Sequence, residues 1–405
     1  MQRLHLLALN PTDSVTEGFL PAAARLGLAV TLLTDRPAAH RRAYRGAPPP
    51  GLEILHCDVR DFREVIGRIS ALGPPPDAVF SNSDHLQTQT ALAAAYFRLP
   101  GKDWRSALHT KNKAQLRRAL ATAGQDTVRF AELPPDRDPE DLLDEVLAEV
   151  PFPCVVKPRE GVASEDVVLV EEPARFAERC AAIRERRPGE ALIAEEYLDG
   201  PLFTLETLGD GRTLHTLGSF RTHLSPPPYF TERRLDLLPQ PQQPYAAQVL
   251  AQLRALGVGF GACHTEYTVH RGRARLIEVN YRAIGDHCDL ALAQALRLPL
   301  FEHILGVHLG RPLPARLGAH SGGRVRIEYV CAERGGTLRT APGPSDTRSD
   351  GVRLVYRPLR QTGERHPLYR TNRDYLGVIR ATGTDQGRID RAVQGFLASR
   401  RWEIR

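Results

Sequence analysis

Between Cys263 and Asp286 the chain reads CHTEYTVHRGRARLIEVNYRAIGD, in which two apolar and β-branched runs, EYTV and RLIEV, flank the polar tetrapeptide HRGR. That pattern predicts a β-hairpin. Folding it about Gly272 sets Glu266 across from Glu278. Because side chains alternate along a strand, His264, Glu266, Glu278, Asn280 and Arg282 share one face, and Tyr267, Val269, Ile277, Val279 and Tyr281 take the other. Like charges facing across a ladder repel, so something positive must lie between them. Two carboxylates with a carboxamide two residues on form an all-oxygen set of hard donors, better suited to magnesium or manganese than to zinc. The plain alternative is a surface hairpin whose glutamates splay into water. Against it, Glu278 and Asn280 interrupt an apolar strand, Asn is a poor strand former, and the whole chain has only five Asn.

A chain of 405 residues exceeds what one core supports and predicts two or three lobes around a cleft. The first 110 residues alternate strand and helix patterns, RLHLLALN, TEGFLPAAARLG, LAVTLLTD, then LEILHCDV, DFREVIGRISALG, DAVFSNSD, which predicts an open α/β domain on a parallel sheet. Its first strand-to-helix turn, NPTDSVTEG, lacks GxGxxG, which weakens a dinucleotide-binding reading. Pro-rich breaks at GAPPPG, GPPP, LPPDRDP, SPPPY and PQPQQP read as surface turns. From about residue 151 the pattern becomes strand-rich and antiparallel, and from about 316 further strands and a terminal helix, DQGRIDRAVQGFLASR, form a covering lobe. The six cysteines are scattered without any CxxC and read as core thiols. No long apolar run and no cleavage pattern occurs, so a cytoplasmic chain with no membrane partner is expected. The net charge of +6 could suggest nucleic acid, but the basic residues are dispersed among 48 acids rather than gathered in a run, and small anionic substrates fit as well; no nucleic-acid partner is expected.

The basic residues are nearly all arginine; the four lysines stand at 102, 111, 113 and 157. A compact ammonium approaches phosphate in a way that Arg does not reproduce. Lys157 ends the strand pattern PCVVKP and precedes a loop with Gly161, Ala163 and Ser164, whose small residues let backbone N–H groups approach phosphate oxygens. TKNKAQLRRALATAG is expected to open a helix with Lys111 and Lys113 in its first turn, where cations are disfavoured unless an anion binds; an exposed basic helix start reads equally well. ALIAEEYLDG is a strand running into a loop, an edge able to offer backbone groups to a purine.

These elements, in this order, resemble the ATP-grasp superfamily of carboxylate–amine and carboxylate–thiol ligases. The resemblance covers residues 1 to about 330 in architecture and 110–290 in motifs, and its most specific part is E(x11)EVNYR, similar to the family's magnesium and catalytic signature. It implies an α/β chain with the ATP-grasp fold: an N-terminal open α/β (pre-ATP-grasp) domain at 1–110, a two-lobe ATP-binding module at 111–315 with a mobile lid at about 125–195, and a C-terminal α+β lobe at 316–405. The implied cofactors are ATP and magnesium, or manganese. By the same resemblance Glu266, Glu278 and Asn280 bind the metal, Arg282 steadies the transferring phosphoryl group and the later oxyanion, and Lys113 and Lys157 meet the ATP phosphates. Gly161 and Ser164 belong to the phosphate loop, and Glu195, Glu196, Tyr197 and Leu198 to an adenine hinge whose contacts are mostly backbone. Two departures stand out. Leu202 occupies the place where members often carry a ribose-binding acid, leaving Asp199 or Glu206 for that task, and the phosphate loop holds Glu165 and Asp166, which must turn outward.

The implied activity is an ATP-dependent ligase that activates a small-molecule carboxylate as an acyl phosphate, releases ADP and phosphate, and joins it to an amine, an amino acid being expected. The ending NYRAIGDHCDL is similar to ligases of siderophore and other specialised peptide pathways. Arg221 is a candidate clamp for a substrate carboxylate, and Asp286, His287 and Asp289 for an amine, though each reads as readily as structural. A biotin-dependent type of carboxylase and a non-catalytic nucleotide-binding protein remain the rivals. A homodimer is compatible with all three.

Overall fold

The computed structural model describes residues 1–44, 51–317 and 322–405, and all but the last residue of the GAPPPG break lies outside them. Four strands, β1 (Arg3–Leu7), β2 (Ala29–Thr34), β3 (Leu52–His56) and β4 (Ala78–Phe80), form a parallel sheet in the order β3-β2-β1-β4. Their near-continuous apolar runs serve two cores at once. Leu4, Leu6, Leu32 and Phe80 pack on one face with Phe19, and Leu7, Leu33 and Val79 on the other with Val65 and Ile69. Both faces are therefore covered, as a parallel sheet requires. The loops at the carboxyl ends of β1 and β4, residues 9–15 and 82–85, open into the main cavity.

Four antiparallel strands form a separate sheet in the segment expected as the lid, and the name is kept for it below: β5 (Phe130–Leu133), β6 (Cys154–Pro158), β7 (Val168–Val170) and β8 (Leu192–Glu196), in the order β5-β8-β6-β7. Val146, Phe176, Cys180 and Ile183 of the two lid helices bury one face of this sheet. A ten-stranded sheet follows, built from β9 (Leu202–Asp210), β10 (Leu214–Gly218), β11 (Phe220–Leu224), β12 (Glu232–Leu237), β13 (Phe260–His270), β14 (Arg273–Asn280) and β15 (Arg324–Cys331), with strands from the C-terminal portion. That portion contains β16 (Gly336–Thr340), β17 (Ser345–Ser349), β18 (Val352–Pro358), β19 (Arg365–His366), β20 (Tyr375–Gly383) and β21 (Glu403–Ile404). The order is β14-β13-β9-β11-β12-β15-β20-β18-β17, with β10 beside β9. Since β12 pairs with β15 through Leu235 and Ile327, the ladder runs unbroken from the hairpin into the last ninety residues.

The expected helix around the lysines divides in two. One helix, Trp104–Lys111, ends at Lys111 and another, Lys113–Thr122, begins at Lys113. Between them Asn112 is extended (φ −91°, ψ 107°) and its side chain accepts the Gln115 N–H, a cap that forces the break. Lys111 thus sits at a helix C-terminus, where a cation is favoured, and only Lys113 occupies an N-terminal turn. Five cysteines are buried and none is paired, in keeping with core thiols. Among the described residues no single helix is long and apolar enough to cross a membrane; Cys288–Leu296 and Leu300–His308 reach that length only together, bent by 104°.

The hairpin turn is the pair Arg271–Gly272, both left-handed (φ 49° and 73°), between the last partners His270 and Arg273. Gly272→Ala, with open space for the new methyl but a positive φ, is expected to destabilise by about 1 kcal/mol. Gly67→Ala, on an exposed helix position with equal room, is expected to stabilise by up to about 1 kcal/mol. Urea denaturation midpoints that move in the same direction for both would contradict this account of the turn.

Candidate active site

The hairpin does set Glu266 across from Glu278, but the reason differs from simple folding about Gly272. A turn centred between Arg271 and Gly272 pairs Val269 with Ala274 and Tyr267 with Leu276, and continued unbroken it would bring Ile277 opposite Glu266. A β-bulge between Glu266 and Tyr267 shifts the register by one and delivers Glu278 instead. Ile277 is consequently not on the core face as expected. It lines the cavity together with Glu278, while Leu276, Val279 and Tyr281 are buried with Tyr267.

The cavity, of about 650 Å³, is enclosed by the parallel-sheet loops, the lid, the hairpin and the C-terminal strands. Lys113, Lys157, Gly161, Ser164, Glu195, Glu196, Tyr197, Leu198, Glu266, Glu278, Asn280, Arg282, Asp286 and His287 all line it. Four of the five asparagines, at 10, 82, 280 and 372, do so too, and the fifth caps the Lys113 helix.

The positive charge that the facing glutamates require comes from two side chains. Lys113 Nζ donates to Glu278 Oε1 at 2.9 Å. Burial works against both charged forms, but the pairing outweighs it, raising the lysine and lowering the glutamate from their ordinary values. On the other side, His264 lies between Glu206 (Nδ1 to Oε1, 2.8 Å) and Glu266 (Nε2 to Oε1, 3.4 Å). Burial pulls the imidazole down, and the two carboxylates more than reverse this, to about 10, so His264 is a cation at neutral pH.

Behind the hairpin sits a residue that the sequence gave no reason to single out. Arg117, with no exposed side-chain surface, donates through Nε and Nη2 to the two carboxylate oxygens of Glu195 (2.8 and 3.3 Å). It also donates to the carbonyls of Leu276 (2.7 Å) and Ile277 (3.0 Å), at the bulge itself. Glu195 is shared with Lys157, 2.5 Å away, and the two cations hold it at about 2 against the opposing effect of burial. Lys157 is left short of compensation: burial lowers its pKa, Arg117 and Lys113 lower it further, and only a part-share of Glu195 opposes them. An anion arriving in the cavity would supply the missing partner.

The lid loop resolves the question of its acids. Glu165 pairs with Arg187 and Arg373, and Asp166 with Arg186 and Arg187, so both are neutralised by arginine. In the segment expected as the hinge, the Glu196 N–H is taken by Arg129 O (3.0 Å) and the Tyr197 N–H by Pro153 O (3.2 Å), while among the described residues no backbone acceptor meets the Leu198 N–H. Val128, Val155, Leu198, Leu202 and Ile277 give that end of the cavity apolar walls.

Several expectations need correction. Arg221 is exposed and does not line the cavity: Phe220 and Thr222 of the same strand turn inward, and alternation sends Arg221 out. Glu206 lies on the hairpin face but behind His264, which it holds, and it does not line the cavity. Asp199 is exposed and also off the cavity. Asp289 is buried, its side chain bonded to the Leu290 N–H, and burial raises it to about 6. Glu232 was not foreseen. It lines the cavity, among the described residues no hydrogen-bond or ion-pair partner meets its carboxyl, and burial with Glu266 and Asp286 nearby pushes it to about 8, so it is protonated at neutral pH.

Two carboxylates and a carboxamide on one cavity wall fit a hard cation. Among the described residues no group of three His, Cys, Asp or Glu converges to enclose a metal. That suits magnesium, which takes one or two carboxylates and completes its shell from phosphate and water rather than from an all-protein cage.

Residues 150–290 match the ATP-grasp domain family. An uncharacterized protein of Sinorhizobium fredii, y4rH, is 26% identical, over 99% of this chain and 83% of the relative. Among solved structures, an L-amino acid ligase from Bacillus licheniformis superposes with a TM-score of 0.82 at 20% identity, covering 100% of this chain and 99% of that one. A phosphoribosylglycinamide synthetase from Anaerococcus prevotii gives 0.72 at 14% identity and 100% of both chains. A biotin carboxylase from Campylobacter jejuni gives 0.69 at 14%, covering 99% of this chain and 92% of that one. These likenesses establish the ATP-grasp fold.

Arg117→Met removes one of the two cations around Glu195 and is expected to cost about 3 kcal/mol at neutral pH. The folded pKa of Glu195 is about 2, below its ordinary 4.5, so its contribution is complete above pH 4.5 and is lost as pH falls toward 2. Wild-type stability should therefore fall more steeply than the variant's over that window; parallel acid unfolding curves would contradict the assignment.

Proposed function

We propose, on the premise that this chain belongs to the ATP-grasp superfamily by its domain at residues 150–290, that it is an ATP-dependent ligase joining a small-molecule carboxylate to an amine through an acyl phosphate, with ADP and phosphate released. The observation that carries this reading is the pairing of one oxygen-donor face, Glu266, Glu278 and Asn280, with two buried lysines and Arg282 in a single cavity.

A carboxylate and the γ-phosphate repel, so bringing them together needs cations at the reacting end. Lys157, undercompensated by Glu195, would bind phosphate oxygens, and Lys113 would join it from the Glu278 side. Glu266, Glu278 and Asn280 would hold magnesium, which when bound supplies further charge neutralisation at the phosphates. The free Leu198 N–H and the apolar walls beside it would take adenine. Arg282, half-buried and tethered to its neighbour's carbonyl (Nη1 to Ala283 O, 2.9 Å), would face first the transferring phosphoryl group and then the oxyanion formed as the amine adds. At the far wall the Glu232 carboxyl, kept protonated at neutral pH by burial, would ionise on receiving an ammonium, which favours an amino acid as a substrate. With Asp199 and Glu206 both off the cavity, ribose binding would fall to backbone groups and to Thr268, which lines it.

Incubation with magnesium ATP, hydroxylamine and a mixture of the standard amino acids should yield hydroxamate with ADP and phosphate. AMP with pyrophosphate would reject the acyl phosphate route, and ADP release that needs only bicarbonate would favour a carboxylase. Glu278→Gln and Lys157→Ala should each lose at least about 100-fold in turnover while keeping the wild-type circular dichroism spectrum. Unimpaired turnover in either variant would remove that residue from the site.

A further inference from the structure

The lid loop between Pro158 and Val168 holds three non-glycine residues in the left-handed region, Ala163 (φ 57°), Ser164 (φ 54°) and Asp166 (φ 55°). Such a conformation is costly and persists only where surrounding contacts determine it. Arg186 and Arg187 supply some of those contacts from within the lid. The others come from the C-terminal lobe. The Asn372 N–H donates to Ala163 O (3.3 Å), and Arg373 Nε donates to Glu165 Oε1 (2.5 Å).

Asn372 also faces the other way. Its Oδ1 accepts the Glu232 N–H at 3.0 Å, so one side chain and its own backbone join the lid loop to the wall that carries the Glu232 carboxyl. Ala163, Glu232 and Asn372 all line the cavity. The segment that presents Asn372 is itself stiff. Asp374 accepts the Tyr369 N–H (2.9 Å) and Arg370 N–H (2.6 Å) and pairs with His366 (2.9 Å), while Thr371 Oγ1 takes the Arg373 N–H (3.1 Å). A rigid peg thus meets a loop that does not hold its shape unaided.

We propose that Asn372 and Arg373 are positioning residues that latch the phosphate loop of the lid against the Glu232 wall, keeping water from an acyl phosphate until the amine is seated. The inference rests on the ligase reading of the site. The latch is built to release: the side chain of Arg373 is 55% exposed, and the contacts to the lid are one hydrogen bond and one solvent-facing ion pair. Because Asn372 touches the lid and the substrate wall together, a shift of the Glu232 strand on amine binding is transmitted to the loop without passing through the lid core.

The test uses the full chain and the double variant Asn372→Ala/Arg373→Ala. Hydrogen exchange with magnesium and the ATP analogue AMP-PNP should show residues 159–168 exchanging roughly fivefold faster in the variant, with β13 unchanged. In the hydroxylamine assay with mixed amino acids, the ratio of ADP released to hydroxamate formed should rise at least about threefold, because water competes for the intermediate. Should the double variant fail to fold, Glu165→Gln weakens the same ion pair from the lid side and should move both readouts in the same direction. Unchanged loop exchange overturns the latch, and faster exchange with an unchanged ratio overturns its shielding role. If the wild type forms no hydroxamate, the ligase reading fails, while the exchange measurement still decides whether the latch exists.

Discussion

Arg117 donates to both oxygens of Glu195 and to the carbonyls of Leu276 and Ile277, and so fastens three parts of the molecule at one buried point. Glu195 belongs to the strand leading into the hinge and holds Lys157. Leu276 and Ile277 form the irregular step in β14 that sets Glu278 across from Glu266. A guanidinium suits this position because its planar fork can serve a carboxylate and two carbonyls together, which an ammonium cannot. The relative placement of the Glu195–Leu198 segment, Lys157 and the acidic pair therefore rests on a group that does not line the cavity.

Around that anchor several acids at and beside the cavity each have a cation within reach. Glu278 has Lys113, Glu266 has the His264 cation, Glu165 and Asp166 have arginines, and Asp84 has Lys111. Lys157, short of negative charge, and Glu232, whose carboxyl burial keeps protonated at neutral pH, line the same cavity. A buried charge without a full partner costs stability in the resting protein and becomes favourable when a ligand supplies the partner. The proposed phosphate donor would answer the lysine end, and the proposed ammonium would ionise the Glu232 carboxyl that burial keeps protonated at neutral pH.

Much of this was legible in the chain. The parallel sheet follows from apolar runs buried on both faces, and the hairpin from two apolar segments around a glycine turn. The rare residue types were the strongest signal, since four asparagines and two lysines of a chain so rich in arginine line one cavity. The Glu266–Glu278 pairing came out correctly although the turn centre was misplaced by half a residue, because an unforeseen bulge restored the register; Ile277 shows the discrepancy. Arg117 was hidden by its abundance, one of fifty arginines on a helix whose pattern does not announce a buried cation. Glu232 and Asn372 meet through a contact between segments 140 residues apart, which no local spacing encodes, and Arg221 turns outward because Phe220 and Thr222 of its strand face inward.

The most direct test of the acidic pair is manganese anomalous scattering from crystals grown with AMP-PNP and Mn2+. The account predicts a peak bounded by the Glu266 and Glu278 carboxylates and the Asn280 carboxamide, with phosphate oxygens completing the shell and Lys113 displaced toward the nucleotide. Nucleotide bound without a peak there, or carboxylates turned away from each other with the metal elsewhere, would contradict it.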